Sequence, residues 1–163
     1  MCSSDLGDDP VVTRSVCNAW KASKVIQSFI FNNSKIPRIA SQLMGWTSVK
    51  LNQDSIIIVP PGAAGVTFHQ DDAYQDWHDP GQIITCWISL TDVMGANHSG
   101  LAFVPRSHRW PSAGRVDQFT GFDDPTEAVK MFAKQNSLNF DIKSFEYKVG
   151  DASFHSGKVW HGD

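Results

Sequence analysis

A chain of 163 residues that is 41% hydrophobic and 19% charged has the balance of a globular protein, with room for one domain and hardly for two. Its net charge of −3 argues against the clustered Lys and Arg surface that nucleic acid demands. No apolar run approaches the about 20 residues of a membrane helix, so no nucleic acid and no membrane is expected as a partner.

In chain order, residues 1–6 are set aside first. Cys2-Ser3-Ser4-Asp5-Leu6 reads as the translation of a common sequencing adapter, and no basic region or apolar stretch marks a signal peptide there. One domain is expected over 7–163. Residues 15–45 read as helical: Val16, Trp20, Val25, Ile26, Phe29 and Ile30 recur at spacings of three to five, and Ile36, Ile39, Ala40 and Leu43 form a second stripe. Ser34 is the expected N-cap between them, and Gly45 the stop. From Val49 the period shortens. Strands are expected at 49–52, at Ile56–Val59 before the Pro60-Pro61-Gly62 turn, at 66–71, at 82–91, at 100–105 after a turn at Asn97-His98-Ser99-Gly100, at 145–149 and at 152–160. Polar residues 111–143, with one helix over Thr126–Lys134, read as an insertion between strands. Cys2, Cys17 and Cys86 make no paired framework, which points to free thiols and a cytoplasmic location. Short strands behind a helical start suggest a mainly β fold, a double-stranded β-helix (jelly roll, cupin-like) with an N-terminal helical layer.

The chemistry centres on His69-Gln70-Asp71. In an extended segment, residues i and i+2 point to one face, so an imidazole and a carboxylate project together. Two histidines and a carboxylate on one face of an iron ion leave three positions open, the facial triad. His155 and His161 compete to be the third ligand. They lie six apart and share parity if the segment is one strand, so spacing leaves both open.

Phe68-His69-Gln70-Asp71, Thr85-Cys86-Trp87-Ile88-Ser89-Leu90-Thr91-Asp92, Ser99-Gly100-Leu101-Ala102-Phe103-Val104-Pro105-Arg106-Ser107-His108-Arg109, Gly150-Asp151-Ala152-Ser153-Phe154-His155 and His161-Gly162 occur in that order. Together, from about Trp20 onward, they resemble the core of the phytanoyl-CoA dioxygenase family. The resemblance implies an iron(II)- and 2-oxoglutarate-dependent dioxygenase that uses O2 and hydroxylates a small organic molecule, with His69, Asp71 and His161 as metal ligands. His161 is preferred over His155 because Gly162 follows it; His155 is then the reserve ligand or lies near the substrate. Gln70 and Trp87 are implied to help hold 2-oxoglutarate. Asp71 favours hydroxylation over halogenation, because related halogenases carry Ala or Gly there.

Two departures from the family pattern stand out. Asp163 occupies a position usually held by Ser, and none of Arg14, Arg38, Arg106, Arg109 and Arg115 matches the arginine expected to pair with the far carboxylate of 2-oxoglutarate. That residue is expected beyond Asp163, so the chain reads as a truncated domain with little turnover alone. Ser107-His108-Arg109 reads as structural; Tyr74 and Trp77 wall a pocket or pack a loop. Trp160, alternating with His161, is expected in packing, and Asp72 and Asp92 in turns or caps. The competing readings are a cupin-like metal-binding or isomerase protein that enlists His155 as a further ligand, and a non-catalytic relative.

Overall fold

The structure is a computed structural model that describes residues 12–63, 65–75, 77–93, 100–116 and 124–163. The features expected at 1–6 and around His98 lie outside these residues. Two compact units are present, Met1–Ala63 and Ala64–Asp163. No helix among the described residues is long and apolar enough to cross a membrane.

In the first unit, strand β1 (Arg14–Cys17) pairs antiparallel with β2 (Ser55–Ile58), Val16 lying opposite Ile56. The helix expected from residue 15 is therefore a strand at its start. The spacing of Val16 and Trp20 mimics a helical stripe, but the β-branched run 56–58 offers a partner, and tertiary pairing overrides a weak local period. Helix α1 (Lys24–Asn32) begins where Ser23 Oγ accepts from Ile26 N. Helix α2 (Lys35–Met44) is capped by Asn33, whose Oδ1 accepts from the amides of Lys35 and Ile36 at 3.0 and 3.1 Å; Ser34, the expected cap, makes no side-chain cap bond. Gly45 ends the helix in the left-handed region at φ 67°, as a glycine stop predicts. Residues 49–52 form no strand. Cys17, expected as a free thiol, is disulfide-bonded; cysteine spacing along a chain does not report which sulfurs meet in space.

The second unit is built from short antiparallel pairings. Strand β3 (Ile84–Ile88) pairs with β5 (Ala152–Ser156), and β4 (Ala102–Phe103) with β6 (His161–Gly162). Isolated bridges join His69 to His161, Phe103 to Lys143 and Val93 to Tyr147. Four segments thus lie side by side, with His69, His161, Phe103 and Lys143 in one row. The single strand expected over 152–160 stops at Ser156, because the chain turns at Gly157-Lys158, and β6 begins only at His161. Helix α3 (Glu127–Gln135) is the one expected near 126–134. Its apolar face, Ala128, Val129 and Ala133, is buried, and the first two join Phe68, Ala102, Val104 and Trp160 in the core. The presumed insertion therefore helps build the hydrophobic centre.

Candidate metal centre

Three backbone relationships assemble the site. His69 and His161 are directly opposed, each amide donating to the other's carbonyl at 2.9 and 3.0 Å, so both imidazoles leave on one face. Gln70 is extended at φ −115°, ψ 127°, which returns Asp71 to the face of His69. At Asp71 the chain tightens into a 3-10 turn, Asp71–Tyr74, that leaves the carboxylate between the strands. One atom from each of His69, Asp71 and His161 lies within 4.8 Å of the other two. Asp71 Oδ1 is 3.4 Å from His69 Nε2 and 3.5 Å from His161 Nε2.

The far side of each imidazole is fixed. His69 Nδ1 lies 2.7 Å from the Thr67 carbonyl, and His161 Nδ1 lies 2.9 Å from that of Val159. A carbonyl oxygen only accepts, so each Nδ1 carries a proton and each Nε2 is turned inward, toward Asp71. Both anchors are two residues back along the chain. Two imidazole nitrogens and a carboxylate oxygen then converge on one point, an arrangement that suits a bound cation. Two imidazoles and a carboxylate suit a divalent first-row metal.

Charge follows the same geometry. Burial lowers the His69 pKa, the neighbouring His161 lowers it further, and the pull of Asp71 only partly offsets them. Burial alone would raise the Asp71 carboxyl, but the imidazoles of His161, His155 and His69 around it hold it well below the usual carboxylate range. Positive charge among these rings, from a proton or a metal ion, keeps Asp71 ionised.

His155 sits elsewhere. It lies on β5, not on the strand of His161, with its ring centroid 4.1 Å from that of His161. Its Nε2 is 3.4 Å from Asp71 Oδ2, the other carboxylate oxygen, and among the described residues neither ring nitrogen has a hydrogen-bond partner. Gln70 points to the opposite face. Its Nε2 donates to Lys158 O at 2.7 Å and its Oε1 accepts from Ala113 N at 2.9 Å, so the amide is committed to tying three backbone segments together. Trp87 lies two residues beyond Thr85 on β3, its ring edge-on to Tyr147 at 4.7 Å.

The remaining candidates take structural places. Ser107 Oγ donates to Val104 O at 2.7 Å and accepts from Trp160 N at 2.8 Å. Tyr74 packs edge-on against His69, and its hydroxyl bonds both backbone groups of Val116. Trp77 is exposed. Burial pushes the Cys86 thiol up to about 11, which makes it a poor nucleophile. Thr85 was not singled out by sequence, yet its hydroxyl donates to Asp71 Oδ2 at 2.6 Å. A β-branched residue in a β-branched run carries no signal beyond its register.

A profile of the phytanoyl-CoA dioxygenase (PhyH) family matches residues 7–162. No curated protein sequence matches the chain. Among solved structures, similarity extends to the non-heme alpha ketoglutarate dependent carbocyclase SnoK from nogalamycin biosynthesis (TM-score 0.73, 21% identity, 96% of this chain and 58% of that one). It extends also to the non-heme alpha ketoglutarate dependent epimerase SnoN of the same biosynthesis (TM-score 0.65, 18% identity, 96% and 56%). A third is EctD from S. alaskensis, solved with 2-oxoglutarate and 5-hydroxyectoine (TM-score 0.64, 16% identity, 98% and 56%). The chain therefore spans less than two thirds of these structures, and the likeness is one of fold.

Proposed function

This chain belongs to the phytanoyl-CoA dioxygenase family, and we propose that it is the metal-binding part of an iron(II)- and 2-oxoglutarate-dependent dioxygenase that hydroxylates a small organic molecule. In this reading the antiparallel pairings are those of a jelly roll, and His69, Asp71 and His161 hold the iron. The observation that carries it is the convergence of two backbone-anchored Nε2 atoms and one carboxylate oxygen within 4.8 Å.

Iron(II) bound there with 2-oxoglutarate and O2 supplies an oxidation in which the keto acid loses CO2 to become succinate and a substrate C–H bond gains oxygen. The protein's own part is positional. The Thr67 and Val159 carbonyls hold each Nδ1, so the nitrogen presented to a metal would be Nε2 in both rings. With His69, Asp71 and His161 as its protein ligands, a bound ion would keep room for cosubstrate and oxidant. The carboxylate at Asp71 fills the place a halide would need, which favours hydroxylation. Trp87 is assigned to the wall beside the cosubstrate, while Gln70 braces the site from behind through Lys158 and Ala113. The named relatives include a carbocyclase and an epimerase, so the reaction outcome is the point to test.

The test is succinate formation from 2-oxoglutarate with and without Fe(II), in the longest natural product that contains this sequence. Iron-dependent succinate release that Asp71→Ala abolishes supports the reading; equal release by both proteins removes Asp71 from the metal shell.

A further inference from the structure

The two oxygens of Asp71 face two different cross-strand pairs. Oδ1 looks toward His69 and His161, opposed across one bridge. Oδ2 looks toward Thr85 and His155, opposed across the β3–β5 ladder. Directly opposed residues share a face, so one register sets two groups on one carboxylate oxygen and the other register sets two groups on its partner. Thr85 makes the shorter contact. Its hydroxyl can only donate to an ionised carboxylate, and 2.6 Å is the length of a charge-assisted hydrogen bond.

A carboxylate ligates a metal through one oxygen or through both. With two histidines, two-oxygen binding would take four of six positions and leave two. A chelating keto acid and a dioxygen molecule require three. Building on the metal-centre reading above, we propose that Thr85 is a positioning residue: it holds Asp71 Oδ2 away from the ion and commits Asp71 to ligation through Oδ1 alone. His155 completes the enclosure of Oδ2 from the opposite strand, with its side chain 3% exposed, and keeps water from taking the place of the threonine. The ligand geometry is thereby set by β3, a strand that supplies no ligand itself.

The experiment titrates Co(II), whose visible absorption reports coordination number, into the chain and into Thr85→Val, Thr85→Ser and Asp71→Ala variants. Valine keeps the shape of threonine and removes only the hydroxyl. The expected result is Co(II) binding about 10–100-fold weaker in Thr85→Val, with a changed visible band, and recovery of both in Thr85→Ser. Metal-free Thr85→Val should still unfold cooperatively, at a midpoint lowered only by the loss of one hydrogen bond to a buried carboxylate and above the titration temperature, which separates positioning from loss of fold. Affinity and spectrum unchanged in Thr85→Val overturn the proposal, as does a Thr85→Ser protein no better than Thr85→Val. If the parent chain and Asp71→Ala both fail to bind Co(II), the metal-centre reading falls and takes the inference with it. Binding by the parent that Asp71→Ala abolishes leaves that reading standing whatever Thr85→Val does.

Discussion

His69 and His161, 92 positions apart in sequence, are hydrogen-bonded neighbours, each amide donating to the other's carbonyl. The separation of the two imidazoles is therefore a property of backbone pairing and not of side-chain rotamers alone. Anything that shifts the register of β6 by one residue would turn His161 to the opposite face and dismantle the site.

Gly162 is where that register is most exposed to a mutation. A Cβ added there would meet Phe68 Cδ2 at 2.5 Å, Val66 O at 2.7 Å and Phe68 N at 2.9 Å. Two of the three are backbone atoms and cannot step aside. Gly162→Ala should cost about 1–3 kcal/mol by overpacking, read as a lower urea midpoint, and should weaken metal binding as well. A midpoint equal to that of the parent would mean the strands have more slack than their spacing indicates.

The two candidate third ligands separate by mutation. His161→Ala should weaken Co(II) binding more than a hundredfold, because it removes a donor from the triad. His155→Ala should weaken it less than tenfold, since His155 reaches only the outward oxygen of Asp71. Equal losses, measured by calorimetric titration, would place His155 among the ligands and favour a cupin-like centre.

Ser107 tests the support behind His161. Its buried hydroxyl is the acceptor for the Trp160 amide and a donor to Val104 O, so Ser107→Ala strands a buried N–H. A loss of about 1–3 kcal/mol is expected in denaturant unfolding, against near-neutral behaviour for His108→Ala on the exposed side of the same turn.

A pH signal should come from α3. Asp124 accepts from Thr126 N, Thr126 Oγ1 and Lys130 Nζ, and the Lys130 and Thr126 bonds lower its pKa to about 2. A folded-state value below the unfolded one near 3.9 means its contribution is complete above about pH 4 and lost as pH falls through about 2. Asp124→Asn should therefore be less stable at pH 7, by about 0.5 kcal/mol given the half-exposed side chain, and the difference should close by pH 2. A difference that persists at pH 2 would assign the effect to shape and not to charge.

What could be read from the chain and what could not divide along physical lines. The i, i+2 placement of His69 and Asp71 was legible because extended backbone has a fixed period, and the run 84–88 announced a strand through its β-branched and aromatic residues. The strand at 14–17 was not, since its residues also fit a helical stripe and only the distant run 56–58 decides between them. His155 and His161 could not be told apart by parity because the turn at Gly157-Lys158 breaks the strand they were supposed to share. Thr85 and the committed amide of Gln70 were invisible for a related reason. Their roles lie in contacts across 14 and 88 residues of chain, which composition and period do not record.

The central claim is that His69 Nε2, Asp71 Oδ1 and His161 Nε2 bind one metal ion. Anomalous diffraction from crystals grown anaerobically with Fe(II) tests it most directly. The account predicts a single iron peak within bonding distance of all three atoms, with Asp71 Oδ2 still held by Thr85. A peak ligated by His155 in place of His161, or no peak between the strands at a saturating iron concentration, would contradict it.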